Sequence, residues 1–387
     1  MTVIAATTVE PPESLGVDPD KLDALRTRVQ QEVDAGLLPS CQFALARHGR
    51  LAAFEAYGRA TTDSRYLVFS ATKAIVASTV WQLIAEGLLD VDSPVADHIP
   101  GFGGNGKDVI TVEQVMLHIA GFPYAPLGPP AWDTSEGRSA AFAEWRLNWE
   151  PGSRYEYHAT SAHWVLAELI ERLAGQDYRD AVEQRVTRPL GLPRVLGLPE
   201  DQQDGIVDLE LCGEPTPPEE LQTAFGLAEL PETDVTDDVL LALNLPLVRA
   251  VGIPGGGGIA TAATMALFYQ GLLHNDRGLW DPAVLADATG RIRTTLPDPV
   301  TGVPVNRGLG VVIAGDDGKA HQRAGGFGHT NGPRSFGHDG AGGQIAWADP
   351  DTGLSFCYLT NGNDAHILRQ RRRTVGIASR AAACVVS

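Results

Sequence analysis

Apolar residues first recur at helical spacing over residues 18–38, where Leu22, Leu25, Val29, Val33 and Leu37 share one face and predict a helix. The period then shortens. Residues 42–47 and 51–57 read as two strands around His48-Gly49-Arg50, which is a β-hairpin with His48 as a turn residue. Between residues 66 and 89 polarity almost vanishes: Leu67-Val68-Phe69 delivers Ser70, and a long helix begins at once. Ala74, Ile75, Val76, Ala77, Val80, Trp81, Leu83, Ile84 and Ala85 leave that helix no polar face. A helix apolar all round belongs in the interior.

Farther on, residues 90–102 form an irregular connection and residues 111–117 a short helix, with Thr111 as its N-cap and Glu113 near its start. A loop runs from His118 to Pro123. The Trp-, Pro- and Gly-rich stretch 128–150 holds a helical piece near 139–148, and Pro151-Gly152 marks a turn. Helices are expected at 161–173, 178–188 and 235–245, with the acidic, proline-rich residues 212–238 as an exposed loop. The glycine run 255–258 opens a helix at 261–273. It matches neither a dinucleotide fingerprint after a clear strand nor a P-loop with its lysine, so tight packing is its reading. Strand patterns follow at 308–313, 344–349 and 354–360, with Pro350-Asp351-Thr352-Gly353 as a hairpin turn, and a last helix covers 364–383. Strands and helices at both ends and a helical middle predict an α+β fold. One domain spans 1–387, its α+β lobe built from 1–65 plus 260–387 and a helical lobe, 66–259, inserted.

Composition removes some function classes. The net charge of −18 argues against nucleic acid or an anionic membrane as partner. The one basic cluster, Arg369 with Arg371, Arg372 and Arg373, reads as a solvated helix face. No stretch approaches the ~20 apolar residues of a membrane span. The first residues carry no cation before Lys21 and do not read as a secretory signal. Cys41, Cys212, Cys357 and Cys384 are too scattered for a metal or redox motif, and the ten histidines have no ligand spacing. The expectation is a cytoplasmic protein with free thiols and neither metal nor cofactor.

Candidate chemistry concentrates at Ser70 and Lys73. Residues three apart share a helix face, so hydroxyl and amine can meet. Only four of the 30 basic residues are lysine, and one of them falls in the apolar run without a carboxylate three or four positions away. Burial lowers a lysine's pKa, and a neutral amine is a competent base for a serine hydroxyl. A serine at a helix N-terminus also has backbone N–H groups free for an oxyanion. Trp132, Trp145 and Trp149 could line a pocket or pack a core.

The motif Phe69-Ser70-Ala71-Thr72-Lys73 resembles the S-x-x-K of β-lactamase-like serine hydrolases. The likeness is strongest to class C β-lactamases and the related family VIII carboxylesterases. Leu117-His118-Ile119-Ala120-Gly121-Phe122-Pro123 resembles their LxHxSGxP loop, Pro151-Gly152 with Tyr157 their PGxxxxY, residues 254–261 their PAGGxxST stretch, and Gly337-His338-Asp339-Gly340 their closing KTG or HxG element. The resemblance implies a serine β-lactamase and penicillin-binding-protein fold, with Ser70 as acylated nucleophile, Lys73 as base and Tyr157 as second base and proton relay. Tyr155 competes for that last role. The N–H groups of Ser70 and Ala341 would form the oxyanion hole. His338, Gly340, Phe122, Trp132 and His158 would contact substrate.

Two departures separate the chain from the lactamases it resembles. Ala159 stands where Tyr-x-Asn has its amide, and His338 stands where Lys-Thr-Gly has its lysine. A largely neutral histidine holds a carboxylate less well than lysine at pH 7. Both fit a hydrolase of small carboxylic esters, with short acyl groups expected. The alternatives are an acyltransferase, a D-amino-acid peptidase or weak β-lactamase, and a catalytically inactive binding relative.

Overall fold

The computed structural model describes residues 8–231 and 235–385. Asp18 caps the first helix, α1 (Pro19–Asp34), by accepting from Asp20 N and Lys21 N, with Pro19 in the first turn. The hairpin forms as β1 (Ser40–Arg47) and β2 (Arg50–Gly58). Its two-residue turn places His48 (φ 55°) and Gly49 (φ 75°) in the left-handed region, matching the twist of the strands. The greasy helix is α2 (Thr72–Ala85), and the helices α3 (Ser161–Ala174) and α4 (Ala262–His274) fall where their periodicity puts them.

Four C-terminal strands complete the sheet: β3 (Val312–Ile313), β4 (Phe336–Gly337), β5 (Ile345–Asp349) and β6 (Leu354–Thr360). The order is β2-β1-β6-β5-β4-β3, antiparallel throughout, so strands from opposite ends of the chain meet as β1 and β6. Alternation sorts side chains by size. Phe43, Leu45, Trp347, Phe356 and Tyr358 face α1 and the last helix, α5 (Ile367–Ala382). Ala44, Ala46, Ala346, Ala348 and Cys357 face the larger core shared with α2, α3 and α4. Both faces are covered, which is why the strands read as continuous apolar runs.

Four expectations need correction. Residues 212–238 are not simply loop: Pro218–Phe225 is a helix with Glu219 and Glu220 in its first turn and Gly226 as its left-handed cap. Of residues 308–313 only the last two enter the ladder. Leu309 O accepts from Trp81 Nε1 (3.0 Å), and Gly310 lies so close to α2 that a Cβ there would meet Ala77 at 2.3 Å. The final helix starts at Ile367 because Gly362–Asp364 pair in parallel with Glu210–Cys212. Nor is its basic cluster all solvated. Arg373 is fully buried and, with Arg369, ion-pairs Asp364 at 3.1 and 2.6 Å.

Candidate active site

Ser70 stands in a 3₁₀ turn, Phe69–Ala71, that runs directly into α2. Phe69 has a φ of 45°, costly for a bulky residue, and the surroundings hold it there. Thr72 Oγ1 donates to Phe69 O (2.6 Å) and accepts from Gly258 N (2.9 Å), while Val68 N donates to Gly258 O (2.9 Å). The glycine run is therefore packing with a consequence. A Cβ on Gly258 would meet Thr72 Oγ1 at 2.4 Å, and one on Gly255 would meet Ala159 O at 2.9 Å. Only bare backbone comes this near the turn that carries Ser70.

Lys73 is fully buried. Its Nζ donates to Gly255 O (2.6 Å), Ala159 O (2.8 Å) and Ser70 Oγ (3.2 Å). Burial pushes its pKa well below the usual lysine range, the nearby Arg307 charge pushes the same way, and Asp339 opposes them. In the neutral amine the two carbonyls take both N–H bonds, which leaves the lone pair facing the Ser70 hydroxyl. After accepting a proton the ammonium keeps all three partners. Both protonation states are thus satisfied without rearrangement.

Tyr157 lies across Lys73, with Nζ 4.9 Å from the ring centre, and between the rings of His118 (4.8 Å) and His338 (5.9 Å). The ring is half-buried; the hydroxyl is buried and lies next to Ser70 without a well-formed hydrogen bond. Burial raises its pKa, with Arg307 and the adjacent Ser70 pulling it back in part. Burial thus favours the uncharged form of both groups over a phenolate held by a lysine cation.

Ser70, Tyr157, Arg307, Asp339, Gly340 and Ala341 line a cleft of about 570 Å³, which is also bordered by apolar side chains such as Val303, Phe327 and Val375 and by the charged Asp298, Arg323 and Arg371. Ser70 lies in the first turn of its helix, where an N–H has no intrahelical acceptor. The segment of Gly340 and Ala341 runs beside it: a Cβ on Gly340 would come within 2.4 Å of Val68 O.

Other expected contact residues lie elsewhere. Phe122 is buried in the core against Phe102, Trp145 and His158. His158 is equally buried. Its Nδ1 donates to Glu156 O (2.6 Å) and its Nε2 accepts from Phe122 N (3.1 Å), so it is a neutral strut whose pKa burial lowers to about 3. Trp132 packs beside Trp164, Trp145 is buried against Phe142, and Trp149 stacks under Arg154. None of these side chains borders the cleft. His338 is buried beneath the cleft: Nδ1 donates to Asp339 O (2.8 Å) and Nε2 faces Arg307 Nη1 at 3.4 Å. Its pKa is also held well below the histidine range, first by burial and then by Arg307. Tyr155 turns its hydroxyl to Arg307 Nη2 (3.1 Å) rather than to Ser70.

Sequence reasoning missed Arg307. It is 1% exposed, lies over the rings of Tyr155 and Tyr157, and comes from a segment pinned by backbone bonds to Arg293 and Thr294. It also gave no weight to Asp339, which burial raises to about 6 against the pull of Arg371, Arg307 and Lys73. Among the described residues no group of three or more His, Cys, Asp or Glu is placed to hold a metal ion, and no helix is long and apolar enough to cross a membrane.

Comparison with known proteins agrees with this architecture. The β-lactamase family profile matches residues 25–378, and the chain belongs to that family. LipL, an esterase/β-lactamase of Mycobacterium tuberculosis, is 28% identical over 336 residues, covering 78% of this chain and 70% of LipL. Among solved structures, a penicillin-binding protein homologue from Caulobacter crescentus superposes with a TM-score of 0.74 at 27% identity over 95% of this chain and 99% of that one. A family VIII carboxylesterase does so with a TM-score of 0.75 at 23% identity and the same coverage, a likeness that speaks to the fold alone.

Proposed function

We propose that the protein hydrolyses small carboxylic esters through an acyl-Ser70 intermediate. The observation that carries this reading is Lys73, buried, 3.2 Å from Ser70 Oγ, its two other hydrogen-bonding directions occupied by backbone carbonyls. Lys73 takes the Ser70 proton as Oγ attacks the ester carbonyl carbon, and the carbonyl π electrons move to oxygen. The N–H groups of Ser70 and Ala341 receive that oxyanion. On collapse the C–O bond to the alcohol breaks. Tyr157 gives the departing alkoxide its proton and is reprotonated from Lys73. Water then cleaves the acyl-enzyme by the same steps in reverse, and an added alcohol in its place makes the reaction acyl transfer.

The ester preference rests on what the cleft offers a charged substrate. Neutral, buried His338 presents no cation beside Ser70, Ala159 presents no side-chain amide, and Asp339 puts an acid on the cleft wall, while Arg307, the permanent cation beside Tyr157, is 1% exposed with its donors turned to Tyr155 and His338. A cytoplasmic setting belongs to this reading and is supported by four cysteines outside any disulfide.

The test compares a short-chain p-nitrophenyl ester with a chromogenic cephalosporin, with Ser70→Ala as control. Fast Ser70-dependent ester hydrolysis with slow cephalosporin turnover is expected. Comparable turnover of both would overturn the ester preference. Inertness of folded protein toward both, and toward phosphonylating probes, would overturn the enzyme reading itself.

A further inference from the structure

Arg307 is a buried cation without a counter-ion. Among the described residues no carboxylate lies within ion-pair distance of it; its hydrogen bonds go to Tyr155 Oη (3.1 Å) and toward His338 Nε2 (3.4 Å), and its Nε has no partner. An unpaired charge removed from water is disfavoured, so the fold holds this one against a considerable penalty. It sits where its field reaches the reacting groups. The guanidinium carbon is 5.3 Å from the Tyr157 ring centre and 5.5 Å from that of Tyr155, and behind Tyr157 lies Lys73. At 1% exposure, with its donors turned to Tyr155 and His338, it is poorly placed to grip a substrate.

We propose that Arg307 is the positioning residue that supplies the fixed positive charge governing proton transfer among Ser70, Lys73 and Tyr157. His338 and Tyr155 hold it in place. The charge absent at position 338 is thereby provided from another segment, beside the tyrosine and almost wholly buried. His338 serves by staying neutral: its Nδ1–H is fixed on Asp339 O, which leaves Nε2 as an acceptor for the guanidinium. The other titratable groups around this centre are His118, His158, His163 and Asp339, with Asp298 and Arg371 farther out. Burial keeps the histidines uncharged, so Arg307 is the permanent cation of the set.

The inference rests on the Ser70–Lys73 reading but not on the substrate, and its test is the pH dependence of Ser70 labelling by a fluorophosphonate probe. Arg307 repels a proton on Lys73. Removing it lets Lys73 hold its proton to higher pH, so in Arg307→Gln the acid limb of the labelling rate should move up by about one pH unit. Arg307→Lys should keep the limb in place, and Arg307→Gln with His338→Lys should bring it back. An unmoved limb in folded Arg307→Gln, with only KM for ester substrates raised, would overturn the proposal in favour of an anion-binding role. If Arg307→Gln does not fold, the other two variants decide: a limb displaced by a full unit in either, once folded, overturns it. Wild-type protein that labels at Ser70 yet hydrolyses no ester would sink the ester reading and leave this one standing.

Discussion

Lys73 Nζ approaches Gly255 O at 2.6 Å, closer than it approaches Ser70 Oγ at 3.2 Å. The Lys73 amine is thus aimed by a carbonyl from a glycine run far along the chain, where position 255 has no side chain to crowd it. In Gly255→Ala the new Cβ meets Ala159 O at 2.9 Å and Lys73 Nζ at 3.3 Å. Turnover should fall about ten-fold or more through misaimed base, with a stability loss of ~1–3 kcal/mol from overcrowding. Steady-state kinetics beside urea unfolding checks it, and unchanged kcat would mean Lys73 is aimed by Ala159 alone.

Tyr157→Phe separates chemistry from packing. Its buried hydroxyl makes no well-formed hydrogen bond in the resting site, so removing it should leave stability unchanged or raise it by up to ~1–3 kcal/mol. Ester turnover should drop by about a hundred-fold as the relay is lost. A stable variant with near wild-type kcat would move the relay to water.

Lys73 should also shape stability against pH. Its folded pKa lies well below that of the unfolded chain, so the unfolded state binds more protons in the window between the two values. Stability therefore rises with pH across that window, and Lys73→Met should flatten the rise between neutrality and pH 10 while abolishing labelling of Ser70. Denaturation midpoints at several pH values measure it; an unaltered slope would show that Lys73 is protonated in the folded protein.

Acid sensitivity should come from the histidines. His118, His158, His163 and His338 are all held below their ordinary pKa, first of all by burial. Each contributes stability that is complete above about pH 6.5 and fades as pH falls toward its folded value, at up to ~1.4 kcal/mol per pH unit. Asp339, raised to about 6, works in the opposite sense and softens the slope. Unfolding free energy should fall steeply from pH 6.5 to 5, and a flat profile there would mean these rings are already protonated.

Away from the cleft, Glu168 is fully buried and bonds Arg138 Nε (2.9 Å) and Arg172 Nε (2.6 Å). Glu168→Gln leaves the fully buried Arg138 with one carboxylate, Glu171 (2.9 Å), besides the Trp132 carbonyl (3.2 Å). It should cost about 3–5 kcal/mol, read as a lowered Tm, with kcat per folded molecule preserved.

The parts of this molecule legible in the sequence are those with a short-range signal. Ser70 and Lys73 lie three residues apart on an apolar helix, and β5 and β6, buried on both faces, announce themselves as unbroken apolar runs. The helix Pro218–Phe225 was hidden because it buries little beyond Leu221 and leaves no stripe. Phe122, Trp132 and His158 were misplaced because an aromatic residue beside a motif reads the same whether it turns to the core or to the cleft. Arg307 gave no sign at all: it meets His338 and Tyr155 across 31 and 152 residues, and no local pattern encodes such a meeting.

The pairing of β1 with β6 has a consequence for how the protein is made. Arg47 and Leu354 are partners in one ladder although some 300 residues separate them. At ~5–20 residues per second the ribosome spends on the order of 15–60 s between them. For that time the hairpin β1–β2 has a bare edge, which only the last strand of the sheet can cover. A chain halted before residue 360 presents that edge to its neighbours. The nascent protein therefore carries an open, pairing-competent edge until β6 is complete, and only then does its sheet close.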